Sequence, residues 1–425
     1  MKQQAPLNRR DFLRNRADLR GIAAAAAVVD EAASPAPEPA PEPPPAAPLM
    51  CVARPAMACR FEVRISAADG HLVSAACAAL DEVQRLEARL SAYRPSSDIC
   101  RLNRHAADVG NTGDFVGERP RPARLDAELF ALLSLSARLS EKTGGCFDIS
   151  AGALVKVWGF FKGPRRVPSD AEIAEALGRS GMRHLRLDPA DKSVRFARAG
   201  VELNLGSIGK GHALDRAARV LTSRRGPSGE RAVNWLMHAG FSSLLASGSA
   251  EGPGRPCGWW VTVRDPLDPQ RAVARVRLGG GGPMGGARTP AALSTSSAAY
   301  RYFLHEGRRY GHTLDPRTGR PAEGVRGVTV IAPTAAEADA YSTALMVMGP
   351  ERARAFCAAH PRVRALMFPE PAPGRPAEML NFGLPAEDFE LLQEPLSEPP
   401  TDGQPDCRGA ECSAPAEPET WEPEV

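Results

Sequence analysis

Residues 201–221 read VELNLGSIGKGHALDRAARVL: an extended apolar start at Val201, a turn broken by Gly206, Gly209 and Gly211, then a helix. Lys210 sits at the junction and Asp215 about one helical turn further on. A glycine-broken turn ahead of a helix presents unpaired backbone N–H groups, which suit an anion. The spacing matches neither G-x-G-x-x-G nor G-x-x-x-x-G-K-[ST], so neither nucleotide fingerprint applies. Taken alone, the glycines serve a tight turn equally well, with Lys210 a solvated cation.

Outward from this stretch, the chain divides by composition. Residues 31–48, EAASPAPEPAPEPPPAAP, are a proline-rich spacer that cannot bury a core. From 385 onward the chain is again rich in proline and glutamate, the composition of a disordered tail. The folded part is therefore expected over residues 50–384. Ahead of the spacer, Arg9 and Arg10 precede Phe12, Leu13 and the modest apolar run GIAAAAAVV. This reads as a twin-arginine export signal over residues 1–30, which places the mature protein outside the cytoplasm. A short basic amphipathic helix, with the protein kept in the cytoplasm, is the alternative.

The 425 residues carry a net charge of +3, and only six of the basic residues are lysine. The arginines are scattered, which argues against nucleic acid, since that partner needs a concentrated basic face. Nine cysteines occur without a CxxC pair, so no zinc knuckle is read and most are expected to be small buried hydrophobes.

Within the folded part, CRFEVRISA alternates Phe61, Val63 and Ile65 as a half-buried strand does. Leu80, Val83, Leu86 and Leu90 mark a helical face, and LDAELFALLSLSARLSEKTGG is a second helix closed by Gly144 and Gly145. Strands are expected at WWVTV, AVARVRL and GVTVIAP, then a helix from PERARAFCAAHP and a strand from RVRALMF. The elements interleave without a regular βαβ beat. The fold class is mixed α+β with antiparallel hairpins and two lobes.

Four further stretches carry candidate chemistry. AEADAYSTALMVMG places Asp339 and Thr343 at i, i+4 on one helical face, within common reach of a hard cation such as Mg²⁺. Equally, the aspartate can serve its helix dipole while the threonine bonds back to the preceding turn. GRRYGHTLDPRTGRPA sets His312 beside the turn sequence DPRTG, as a general base or an ordinary surface histidine. Ser294 to Ser297, in LSTSSAAYRYF, are read as capping an aromatic helix start or binding phosphate. KTGGCFDISAGALVKVWGF holds Asp148 amid apolar residues and ends in Trp158, Phe160 and Phe161, an aromatic core cluster.

In order, LSAYRPSSDICRLN, TGGCFDISAGALVKVWGF, LNLGSIGKGHALD, LSTSS, GHTLDPRTGRP and EADAYSTALMVMG resemble the motifs of the FAD:protein FMN transferases, the ApbE family. The resemblance runs from about Met57 to Phe368. It implies an ApbE-like fold, FAD as substrate and Mg²⁺ as cofactor. It implies transfer of FMN to a serine or threonine hydroxyl of an acceptor protein, with release of AMP. Acceptors would be exported or membrane-associated electron-transfer proteins.

Residue by residue, the resemblance puts Met57 against the flavin and makes Tyr93 an FAD-contacting aromatic. Cys146, Phe147 and Asp148 match a flavin- or adenine-binding segment, and Asn204, Lys210 and Thr313 join the cofactor-binding set. Ser207, Asp339 and Thr343 match metal-binding positions. Asp339 and His312 are the catalytic pair, His312 as general base with a ring pKa suited to work near neutrality.

Four departures stand out. The usual MGT is MAC at Met57–Cys59, an aspartate is replaced by Asn204, GGD by HAGFSS at His238–Ser243, and the glycine of TSG by Ser297. An FAD pyrophosphatase yielding FMN and AMP, or a non-catalytic flavin-binding assembly protein, would use the same constellation.

Overall fold

The computed structural model describes residues 48–109, 115–116, 119–225, 229, 231–250, 258–268, 270–279, 290–298, 301–371 and 378–392. The stretch read as an export signal, nearly all of the proline-rich spacer and the tail beyond 392 lie outside these residues. Its centre is an eight-stranded sheet. In spatial order the strands are Leu49–Ala56, Cys59–Ser66, Trp235–Ala239, Ser243–Ser247, Ala291–Ser297, Val325–Ala332, Arg364–Pro369 and Leu380–Phe382. Every neighbouring pair is antiparallel.

Alternation fixes which way each strand faces. Phe61, Val63 and Ile65 are fully buried, as their spacing predicts. They point toward the layer made by helices Val73–Leu90, Gly209–Ser223 and Ala335–Ala359, whose side chains form the largest core cluster. Helix Val73–Leu90 buries Leu80, Val83, Leu86 and Leu90, the predicted stripe. The opposite face of the sheet is covered by Trp259–Arg264 and Ala272–Leu278, joined by Phe389–Leu391. That last strand lies beyond the boundary at 384 expected from composition, because its backbone pairs with Ala274–Val276. A third cluster packs Leu154, Trp158, Ile173 and Leu314. Trp158 Nε1–H donates to the Gly319 carbonyl at 2.8 Å, so Trp158 is core and Phe160 packs half-buried against it, whereas Phe161, expected in the same core cluster, stacks on Tyr93 instead.

Helix Ala127–Lys142 ends with Gly144 and Gly145 at positive φ, the expected glycine stop. Helix Ala335–Ala359 is broken at Gly349 (φ 75°) before Pro350, which is why PERARAFCAAHP reads as a separate helix. One expectation fails: LSTSSAAYRYF contains no helix start among its described residues. Ser294–Ser297 belong to strand Ala291–Ser297, and Tyr302–His305 is half of a two-stranded hairpin with Arg308–Gly311. Of the six described cysteines, only Cys146 and Cys357 are buried, and all six are free thiols. Among the described residues no helix is long and apolar enough to cross a membrane.

Candidate active site

Helix Gly209–Ser223 starts without a side-chain cap of its own. Its first turn meets the start of helix Ala335–Ala359 at very close range. A Cβ at Gly211 would lie 2.0 Å from the Ala335 carbonyl oxygen, so only glycine permits this crossing. The Asp215 carboxylate locks it, accepting the N–H groups of Ala335 at 2.8 Å and Ala336 at 2.9 Å. Thr334 caps the same helix by accepting from Glu337 N–H.

This crossing delivers Asp339. One turn into its helix and 6% exposed, its Oδ2 accepts the Gly211 N–H at 3.1 Å. The anion at the glycine-rich helix start is thus, in part, a carboxylate of the chain itself. Its Oδ1 accepts from the hydroxyls of Ser294 (3.1 Å) and Ser243 (3.4 Å). Burial pushes the Asp339 pKa up, while Lys210, Gly211 and the two serines pull it down. The Lys210 ammonium donates to the hydroxyl of Ser242.

Thr343 stands one turn beyond Asp339 and bonds back to the Asp339 main-chain carbonyl at 3.4 Å, the alternative left open by the sequence. It also lies 3.4 Å from the Ser296 hydroxyl. Ser342 lies closer to Ser296, hydroxyl to hydroxyl at 2.8 Å, so Ser294 and Ser296 face Asp339 and the Ser342–Thr343 pair as a ladder. Two residues of strand advance about 6.8 Å and four residues of helix about 6 Å, so the two spacings nearly coincide. The alternation within LSTSS was the available signal for this. Ser207, on the turn before the Lys210 helix, is half-buried and bonds to neither Asp339 nor Thr343.

His312 follows the Tyr302–Gly311 hairpin and meets Phe160 edge-on, with ring centroids 6.4 Å apart. Its backbone N–H and its Nδ1 both contact the Arg301 carbonyl, at 2.9 and 3.1 Å. Burial, then the charges of Arg301, Lys210 and Arg165, push its imidazole down to about 4. That corrects the expectation of a pKa near neutrality. The ring is neutral at pH 7, and with Nδ1–H given to a carbonyl the acceptor is Nε2. Thr313 is buried, and its carbonyl accepts the Ala322 N–H.

Met57 and Ala58 form the two-residue turn between the first two strands, with φ of 50° and 57°. Neither residue is the glycine or asparagine that such a turn prefers, so the turn holds backbone strain. Beside it, burial raises the Cys59 thiol pKa while Lys210 lowers it. Lys210 is thus the charge common to Cys59, Asp339 and His312.

Two groups of expected residues stand apart. Tyr93, 50% exposed, stacks on Phe161 at 4.5 Å and lines a cavity of ≈ 380 Å³ with Asn103, Lys156, Lys162 and Asn204. The Asn204 side chain accepts the Gly206 N–H at 2.9 Å. Cys146 and Phe147 are fully buried. The Asp148 carboxylate is engaged by Ser150 N–H (2.8 Å), Ser150 O–H (2.6 Å) and Met182 N–H (2.9 Å). A ligand would meet this segment through its main chain.

Among the described residues no group of three or more His, Cys, Asp or Glu side chains could hold a metal. The donor set near Asp339 is instead one carboxylate with hydroxyl and carbonyl oxygens, all hard donors. Desolvation leaves that carboxylate short of positive charge, so the residues fit a hard divalent cation that keeps some of its waters.

An ApbE family model matches residues 57–367. The chain belongs to the ApbE family. It is 35% identical over 285 residues to the FAD:protein FMN transferase of Klebsiella pneumoniae, covering 65% of this chain and 71% of that one. The Escherichia coli K12 protein of the same name is 32% identical over 271 residues, covering 62% and 68%. Among solved structures, the ApbE protein of Thermotoga maritima superposes with a TM-score of 0.63 at 29% identity, over 78% of this chain and 96% of that one. The Pseudomonas stutzeri flavinyl transferase ApbE gives 0.59 at 25%, over 79% and 98%. The mixed α+β ApbE fold expected from the motif order is the fold this family member has.

Proposed function

We propose that this ApbE-family enzyme is an FAD:protein FMN transferase, which uses Mg²⁺ to move FMN from FAD to a serine or threonine of an acceptor protein and releases AMP. The observation that carries this reading is Asp339 seated on the start of the Lys210 helix, its Oδ2 on the Gly211 N–H at 3.1 Å, with the charge of Lys210 acting on both Asp339 and His312. Lys210 orients the pyrophosphate and offsets its charge. His312 Nε2 takes the proton of the acceptor hydroxyl, whose oxygen bonds to the FMN-side phosphorus as the bond to the AMP oxygen breaks. When bound at Asp339 and Thr343, with Ser207 as a further oxygen donor, Mg²⁺ would supply neutralisation of phosphate charge. The Tyr93 cleft, with Asn204 at its edge, takes one ring end of FAD. Met57 and the Cys146–Asp148 and Thr313 main chains complete the contacts.

An anionic pyrophosphate beside Lys210 removes part of what holds the His312 pKa low, so the base strengthens as substrate binds. With the free-enzyme imidazole at about 4, kcat/KM is expected to be flat from about pH 6 to 8 and to fall only in stronger acid. Export through the Arg9–Arg10 signal would bring the enzyme to exported acceptors, and N-terminal sequencing of periplasmic protein checks it. The test of function is mass spectrometry of a candidate acceptor after incubation with the full chain, FAD and Mg²⁺. The expected result is an FMN-sized addition and equimolar AMP. AMP with free FMN and no adduct would identify a pyrophosphatase instead.

A further inference from the structure

We propose that Phe241 is the platform on which the flavin ring of FAD rests, an assignment that builds on the transferase reading above. Its side chain is 95% exposed, whereas Phe61, Phe147, Phe196, Phe356, Phe368 and Phe382 are buried. It sits in the tight turn between strands Trp235–Ala239 and Ser243–Ser247, where a small polar residue is the usual occupant.

The turn is pinned on both sides. Gly240 N–H donates to the Arg60 carbonyl at 2.9 Å, and the Ser242 carbonyl accepts Thr295 N–H at 2.7 Å and the Ser294 hydroxyl at 3.0 Å. The ring therefore stands on a fixed base and packs against no other aromatic ring among the described residues.

Position ties this exposed ring to the site. Ser242, the next residue, receives the Lys210 ammonium, so Phe241 is one Cα–Cα step of about 3.8 Å from the residue that meets the phosphate-orienting lysine. Ala239 pairs with Phe61, which sets Phe241 beside the Met57–Cys59 turn. A Cβ on Gly240 would lie 3.2 Å from the Cys59 Cβ, so the two turns touch.

A dinucleotide held by its pyrophosphate at Lys210 has two ring ends to place. Asn204, at the far end of the Asn204–Lys210 segment, lines the Tyr93 cleft, which takes one of them. Phe241, whose turn touches the Met57–Cys59 turn, offers the other a flat apolar face, suited to the larger tricyclic flavin.

The test titrates the full chain, Phe241→Ala and Phe241→Trp with FAD and with ADP, each with Mg²⁺, following heat and flavin emission. Phe241→Ala is expected to weaken FAD about three- to tenfold and leave ADP unchanged. Phe241→Trp should restore FAD affinity and quench flavin emission. Equal FAD affinity in the wild type and Phe241→Ala, or equal losses for FAD and ADP, overturns the assignment. So does an Ala variant whose only defect is a higher KM for the acceptor protein. A wild-type chain that binds no FAD would overturn the transferase reading beneath it, a separate result.

Discussion

The cleft at Tyr93 and the cluster at Asp339 share one short segment, Asn204 to Lys210, yet they are built in contrary ways. The cleft is lined by half-exposed aromatics with lysine, asparagine, arginine and glutamate side chains, and its aromatic pair comes from residues near one another only after folding. The cluster is dry. A buried carboxylate is held there by one backbone N–H, two serine hydroxyls and the field of a single lysine. Shape and stacking serve a ring, for which moderate affinity suffices. On the proposed function, a phosphorus centre gaining charge would be served by Lys210 and by a cation at the fixed Asp339 carboxylate, at the cost of holding a desolvated acid.

This contrast can be broken at three points. Removing the acid should have the largest effect: Asp339→Ala is expected to lower the FMN transfer rate by about 10²- to 10³-fold. Circular dichroism would verify the fold, and single-turnover AMP release would give the rate. A loss of less than about tenfold would mean that the cluster is structural.

Removing the stacking face should act on binding alone. Tyr93→Ala is expected to raise KM for FAD about three- to tenfold with kcat within about twofold. A matching fall in kcat would erase the division of labour between cleft and cluster.

The smallest effect concerns the clip that joins the two helices. Burial pushes the Asp215 pKa up to about 6, above its unfolded value. The protonated clip therefore contributes stability in full below about pH 4, and this is lost as pH rises through about 6. His212 and His312, both held near 4, act oppositely over a similar window, so the quantity to measure is a difference. The stability of Asp215→Asn relative to wild type should improve by about 2 to 3 kcal/mol between pH 4 and 7, superimposed on a constant cost for the lost acceptor. Urea melts at four pH values would show it, and parallel curves would refute the raised pKa.

The lesson for sequence reading lies in particular elements. Phe61, Val63 and Ile65, the Leu80–Leu90 stripe and the Gly144–Gly145 stop were legible because periodicity and glycine chemistry are local. Ser294 and Ser296 were misplaced because a run of small hydroxyl residues carries little signal of period, and only the facing helix gives the alternation a purpose. The strand Phe389–Leu391 was hidden in acidic, proline-rich sequence because its order comes from the edge it joins. The candidate site residues are readable in the sequence mainly as types in order. Their roles divided once burial separated Asp148, spent on local N–H groups, from Asp339, poised beside Lys210.

By itself the sequence determined the antiparallel, mixed architecture and the family, and it named the candidate residues for handling a phosphate. Hydrophobic period, turn chemistry and motif order are all encoded within short spans. The close crossing at Gly211, the clip from Asp215, the neutral His312 and the exposed Phe241 were decided only by tertiary structure. Each depends on groups distant in the chain, whose separation sets desolvation and electric field, and neither quantity exists until the elements pack.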